Sequence, residues 1–162
     1  MKYSQIRSLD IANGPGCRVS IFVSGCEHRC KNCFNPETWS FDHGREFTED
    51  TLNSILELAK PDHISGLSIL GGEPLHPRNS AEVCRLARQF KEAYPEKDIW
   101  LWTGYLIEDI FEDLVDSGID VVVDGRFVED LKDLRLKYRG SSNQRVINLK
   151  ETIRTGDLIL YE

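Results

Sequence analysis

Long apolar runs are missing from this 162-residue chain. No segment approaches the ~20 residues that a bilayer-spanning helix needs, so a transmembrane reading is excluded and no membrane partner is expected. An excess of positive charge is missing too. Twenty Lys and Arg face 27 Asp and Glu, for a net charge of −7. Phosphate backbones want a basic face, which argues against nucleic acid as a partner. There is no internal repeat, low-complexity tract or linker, and one domain over residues 1–162 is expected. A hydrophobic content of 40% with 29% charged residues fits a folded chain rather than a disordered one. The opening MKYSQIRSLDIANGPG lacks the apolar core and small-residue cleavage site of a secretory signal. The expected location is the cytoplasm, where thiols stay reduced. An even, dispersed set of cysteines is also absent. Five is an odd number and three of them are clustered, so metal binding is a better reading than a disulfide framework.

What the chain does contain is an alternation of short apolar runs and longer amphipathic ones. Val19 to Ser24, Leu67 to Leu70, Ile99 to Thr103 and Ile119 to Val123 read as strands. Between them, TEDTLNSILELAK reads as a helix capped by Thr48 and stopped before Pro61. SAEVCRLARQFKEAYP places Val83, Leu86, Ala87, Phe90 and Tyr94 on one helical stripe, and IEDIFEDLVDSG ends on Gly118, a natural helix terminator. Strand and helix in alternation predict an α/β fold with a parallel sheet and right-handed crossovers. The chain is well short of the ~250 residues of a closed eight-stranded barrel. An open, partial TIM-like β/α barrel with helices on the outside is therefore expected.

Each strand runs directly into a distinctive polar or glycine-rich turn: SGCEHRC, GGEP, TGY and DGR. In parallel α/β proteins ligands bind beyond the carboxyl ends of the strands, so these four turns are expected to converge on one site.

SGCEHRCKNCFNPETW carries Cys26, Cys30 and Cys33 within eight residues. A structural zinc site wants four closed tetrahedral ligands. His28, His43 or His76 could complete a Cys₃His set, but no second CxxC or CxxH pair is present. Iron–sulfur clusters normally take four thiolates. Cys84 sits beside the apolar stripe of a helix and reads as a small buried hydrophobe. Cys17 lies at the amino end of the first strand, away from the expected site. Three thiolates on a four-iron cluster leave one iron open, and an open metal position marks a catalytic site.

The spacing Cys26-x₃-Cys30-x₂-Cys33 resembles the CxxxCxxC signature of the radical S-adenosylmethionine superfamily. There three cysteines hold a 4Fe-4S cluster, and its open iron binds the amino and carboxylate groups of S-adenosylmethionine. The residue before the last cysteine is commonly aromatic in that superfamily; here it is Asn32, with Phe34 just after. GGEP, Gly71 to Pro74, strengthens the likeness, its glycines allowing close backbone approach and Glu73 offering an acceptor for an ammonium group. NGPGCRVSIFVSGCEHRCKNCFNPETW, GGEPLHP, DIWLWTGY, VDGRF and RGSSNQR together resemble, in order and over nearly the whole chain, the activating proteins of anaerobic ribonucleoside-triphosphate reductases.

That resemblance implies a chemistry. A reduced flavodoxin-type donor reduces the cluster, S-adenosylmethionine is cleaved to methionine and a 5′-deoxyadenosyl radical, and the radical takes a hydrogen from a glycine α-carbon of the reductase large subunit. It implies Cys26, Cys30 and Cys33 as cluster ligands. Asn32, Cys33 and Phe34 would border S-adenosylmethionine, with Gly71, Gly72 and Glu73 at its methionine end. Thr103 and Gly104 would add contacts, although a tight strand-to-helix turn explains them equally well. Trp100 and Trp102 read as core. Asp124 and Arg126 are candidates for the cavity or the partner surface. No acid–base residue is required, because a hydrogen atom rather than a proton is lost, so His28, His43, His63 and His76 read as exposed or structural. An open barrel side would admit a glycine-bearing loop. A homodimer is compatible with the sequence, which does not decide it, and the role of RGSSNQR is not derivable from it. Competing readings are a pyruvate formate-lyase-type activase, a 7-carboxy-7-deazaguanine synthase-like enzyme and a zinc-binding module.

Overall fold

Alternation of side chains decides the central sheet. In RVSIFV, Val19, Ile21 and Val23 point to one face, while Arg18, Ser20 and Phe22 point to the other, and all six are buried. Strands covered on both faces are the mark of a parallel sheet. The computed structural model, which describes residues 1–162, has strands β1 (Lys2–Asp10), β2 (Cys17–Val23), β3 (Arg45–Glu46), β4 (Ile64–Gly71), β5 (Asp98–Trp102), β6 (Val121–Asp124) and β7 (Arg145–Asn148). Its helices are α1 (Glu49–Leu58), α2 (Ser80–Ala93), α3 (Ile107–Leu114) and α4 (Leu149–Thr155).

The strands form one seven-stranded sheet in the order β3-β1-β2-β4-β5-β6-β7. β2, β4, β5 and β6 are parallel neighbours. Their spatial order follows chain order without reversal, so right-handed crossovers place α1, α2 and α3 on the same face. The expectation of a parallel sheet needs correction, since β1, β3 and β7 pair antiparallel and the sheet is mixed. The connection from β1 to β2 is only residues 11–16, and a parallel return needs a crossover of a dozen residues or more. The sheet is open, with β3 and β7 at its two edges.

Under the helices lies the main core. Val19, Ile21, Val23, Leu67, Ile69, Ile99, Leu101 and Val122 from the sheet meet Leu52 and Ile55 of α1, Val83, Leu86, Ala87 and Phe90 of α2, and Ile107, Ile110 and Leu114 of α3. Each large aliphatic side chain buried this way contributes roughly 1.5–3 kcal/mol. The expected stripe of α2 faces this core, with Tyr94 packed at its end. Thr48 caps α1 as expected, its hydroxyl accepting from the Thr51 N–H while the Thr51 hydroxyl accepts from the Thr48 N–H. Gly118 takes a left-handed φ of 82° in the turn that leaves α3.

The opposite, inner face is different in kind. It carries Arg18, Ser20, Phe22, Ser68, Leu70, Trp100 and Trp102, with only a small apolar cluster of Trp100, Val121 and Val123. Arg18 is fully buried and fully engaged. It donates to Ser68 Oγ at 2.7 Å and Leu67 O at 2.9 Å, and pairs with Asp98 at 2.8 Å. A buried guanidinium is tolerated only when its donors are used this way.

Candidate functional site

The cysteine loop leaves β2 and returns to its own starting point. Gly25 N–H donates to Thr38 O at 2.7 Å and Cys26 N–H to Trp39 O at 3.0 Å, which closes the excursion at its base. Inside it, Arg29 (φ 52°) and Asn32 (φ 56°) adopt left-handed turns, and Cys33 N–H donates to Cys30 O at 3.2 Å. Cys26, Cys30 and Cys33 all come to the wall of one cavity of about 650 Å³. Burial pushes the Cys26 thiol up to about 11, and the charges of Glu73, Cys30 and Cys33 push it the same way. Burial raises Cys30 as well. Such thiols keep their protons until a cation compensates the thiolate, which is the linkage expected of a metal-binding cysteine set. No three Cys, His, Asp or Glu side chains converge on a single point that one metal ion would fill. The three thiols line a chamber instead.

The GGEP turn after β4 lies against this loop. Gly72 N–H donates to Val23 O at 2.8 Å and Glu73 N–H to Gly25 O at 2.7 Å. A Cβ on Gly72 would meet the carbonyl oxygens of Gly25 and Thr38 at 2.7 Å. The glycine is therefore required by the close approach of two protein backbones, whatever else it contacts. Asn79 reinforces the junction from inside, donating to Ser24 O and Glu73 O, each at 3.1 Å.

Glu73 itself is buried, and four donors converge on its carboxylate. Oε1 receives His28 Nε2 at 2.6 Å and Gly104 N–H at 2.7 Å; Oε2 receives Thr103 Oγ at 2.8 Å and Leu75 N–H at 2.9 Å. One side chain thus ties together the turns after β2, β4 and β5. Thr103 and Gly104 have a firm structural role in this knot. His28 is held further by an edge-on contact with Tyr105, ring centroids 4.7 Å apart.

The turn after β6 is fastened by the RGSSNQR segment. Fully buried Asp124 accepts from Ile107 N–H and from Arg145, which also pairs with Glu108 of α3 at 2.9 Å. These acids hold the Arg145 guanidinium above its ordinary range, the Asp124 hydrogen bond most of all. Gln144 accepts from the N–H groups of Gly140 and Ser141 and donates to Gly125 O; Asn143 donates to Arg126 O. Arg139, Gly140 and Gln144 stand on the cavity wall beside Phe127, Leu134 and Tyr138. Ser141, Asn143, Gln144 and Arg145 of the segment are the side chains that brace the loop covering the inner face.

Of the residues singled out from sequence, Cys26, Cys30, Cys33, Phe34, Gly71, Gly72, Glu73, Thr103 and Gly104 share this cavity. Asn32 is exposed and off its wall. Phe34 packs on Phe127, centroids 4.8 Å apart. Trp100 is core, whereas Trp102 lines the cavity and donates to Tyr138 O at 2.7 Å. Asp124 is buried against Arg145 and does not line it. Cys84 is buried on α2, its thiol 3.4 Å from Asp113 O, and Cys17 sits at the far end of β2. Sequence reasoning missed His28, Asn79 and the covering loop as parts of the site. Three thiols with no fourth cysteine on the wall are a donor set that fits a cluster with one open iron. The buried indole N–H of Trp39, on the same wall, has no partner in the protein.

Known proteins are similar to this chain in sequence. A family model described as a 4Fe-4S single cluster domain matches residues 12–147. The anaerobic ribonucleoside-triphosphate reductase-activating protein of Enterobacteria phage T4 is 43% identical over 146 residues, 90% of this chain and 93% of that one. The protein of the same name from Escherichia coli K12 is 43% identical over 154 residues, 93% of this chain and all of its own length. That from Vibrio cholerae is 43% identical over 148 residues, 89% and 96% of the two chains. With the match spanning the cysteine loop, the GGEP turn and the covering loop alike, this chain belongs to the family of anaerobic ribonucleoside-triphosphate reductase-activating proteins.

Proposed function

We propose that this chain is a radical S-adenosylmethionine enzyme that activates an anaerobic ribonucleoside-triphosphate reductase by installing a glycyl radical on its large subunit. The observation that carries this reading is the meeting of three cysteine thiols with the GGEP turn on one cavity, beyond the carboxyl ends of parallel strands. Cys26, Cys30 and Cys33 would hold a 4Fe-4S cluster as thiolates, one cluster per chain. Gly71, Gly72, Glu73, Thr103, Gly104 and Phe34, which line the cavity, would receive S-adenosylmethionine. When bound, the cluster supplies the electron for reductive cleavage of S-adenosylmethionine, whose product abstracts a hydrogen atom from the target glycine.

The chain's own residues supply position and exclusion. The closed base of the cysteine loop fixes where three thiolates can stand, with Cys26 buried and Cys30 and Cys33 half-buried. The loop braced by Arg139, Gln144 and Arg145 walls the inner face against bulk water. The sheet, open between β3 and β7, behaves as a partial barrel of the radical enzyme type, formed by one domain of residues 1–162. Its open side would admit a peptide loop bearing glycine. A reduced flavodoxin-type donor, a cytoplasmic setting and a homodimer belong to the same proposal.

The test is to incubate the anaerobically reconstituted protein with S-adenosylmethionine, a one-electron reductant and the reductase large subunit. A glycyl radical should appear by electron paramagnetic resonance, and not when pyruvate formate-lyase replaces the reductase. Zinc at one per chain without iron or sulfide would end the reading.

A further inference from the structure

A carboxylate offers about four lone-pair positions. On Glu73 all four are taken, by His28, Gly104 N–H, Thr103 and Leu75 N–H. Against an ionised carboxylate the imidazole nitrogen must be the donor. No acceptor is left for a ligand's ammonium group, which is the role proposed above for Glu73. One donor must therefore withdraw. The two amide donors are fixed by the backbone of the turns after β4 and β5. Thr103 is held in turn by Tyr105 N–H, which donates to its hydroxyl at 3.1 Å. His28 alone is a side chain on the cysteine loop, reaching Glu73 across 45 residues of sequence.

We propose that His28 is a positioning residue that occupies the ammonium-accepting face of Glu73 in the ligand-free chain and yields it when S-adenosylmethionine binds. The inference rests on the reading of Glu73 given under the proposed function. It makes one carboxylate a shared seat: His28 anchors the cysteine loop there before loading, and the cofactor's amino group takes the seat afterwards. A bond of this charge-assisted kind opposes ligand binding by its own strength, so removing it should tighten the ligand.

The test is calorimetric titration of S-adenosylmethionine into anaerobically reconstituted protein at matched iron content. His28→Ala should bind roughly ten-fold more tightly than the wild type, and His28→Gln, which restores an N–H donor, should return toward it. An analogue lacking the amino group should bind wild type and His28→Ala alike. Equal or weaker binding of S-adenosylmethionine by His28→Ala overturns the proposal. Failure of the wild type to bind S-adenosylmethionine overturns instead the functional reading beneath it. Should His28→Ala lose its iron, crystal structures of the wild-type holoprotein decide. His28 Nε2 should lie within hydrogen-bond distance of Glu73 without S-adenosylmethionine and beyond it with the ligand; a bond retained in both overturns the proposal.

Discussion

The two faces of the sheet are made from the same strands but by different rules. Beneath the helices, alternate residues such as Ile21, Ile69 and Leu101 are apolar and completely buried. On the inner face the intervening residues include Arg18, Ser20 and Ser68, equally buried but held by hydrogen bonds. The helix face stabilises through area removed from water, which is non-directional. The inner face depends on pairings that must all be satisfied, and such networks fix positions rather than add bulk stability. Folding is thus entrusted to one side, while the carboxyl edge and the other side are free to hold reactive thiols.

Substitutions can break this division at either side. Changing Cys26, Cys30 or Cys33 to Ala should abolish iron and sulfide retention after reconstitution, with the thermal midpoint of the metal-free chain nearly unchanged. On the helix face, Leu101→Ala should do the reverse, costing about 2–5 kcal/mol of stability by denaturant unfolding without removing any cavity group. Arg145→Met leaves buried Asp124 without its cation and should cost roughly 3 kcal/mol, with cavity binding weakened because the covering loop loses its brace.

Asp10 gives a pH-dependent effect at the far end of the inner face. Burial works to raise its carboxyl, but hydrogen bonds from Asn13, Ser20 and the Ala12 N–H outweigh it and leave it below the ordinary carboxylate range. A carboxylate lowered in the folded state stabilises above its unfolded pKa and loses that contribution as pH falls through the folded value. Asp10→Asn should therefore cost about 1 kcal/mol at pH 7, and the difference from wild type should shrink in unfolding measurements below about pH 4. Smallest of all, Cys84→Ala should keep full iron content and shift the unfolding midpoint only slightly.

The same division explains what could be read from the sequence. The four central strands and α1 to α3 are legible because each buries a periodic apolar set, and α1 adds a local cap at Thr48. β1 was not, since KYSQIRSLD is mostly exposed or half-buried and has no clean alternation. β3 and β7 are held by pairing to neighbours rather than by their own composition. α4 carried one local sign, Asn148, whose side chain caps the helix by accepting from Glu151 N–H. At the site, the cysteines and GGEP declare themselves by spacing. The knot on Glu73 does not, because His28, Thr103 and Gly104 come from three separate turns. RGSSNQR was opaque for the same reason, its partners Gly125, Arg126 and Asp124 lying about twenty residues upstream.

The most direct test of the account is electron paramagnetic resonance of the reduced, reconstituted protein with and without S-adenosylmethionine. Three thiolates and one open iron predict a cluster signal that changes on adding the ligand, in wild type and Cys84→Ala alike. A signal indifferent to S-adenosylmethionine, or one lost in Cys84→Ala together with its iron, would contradict it.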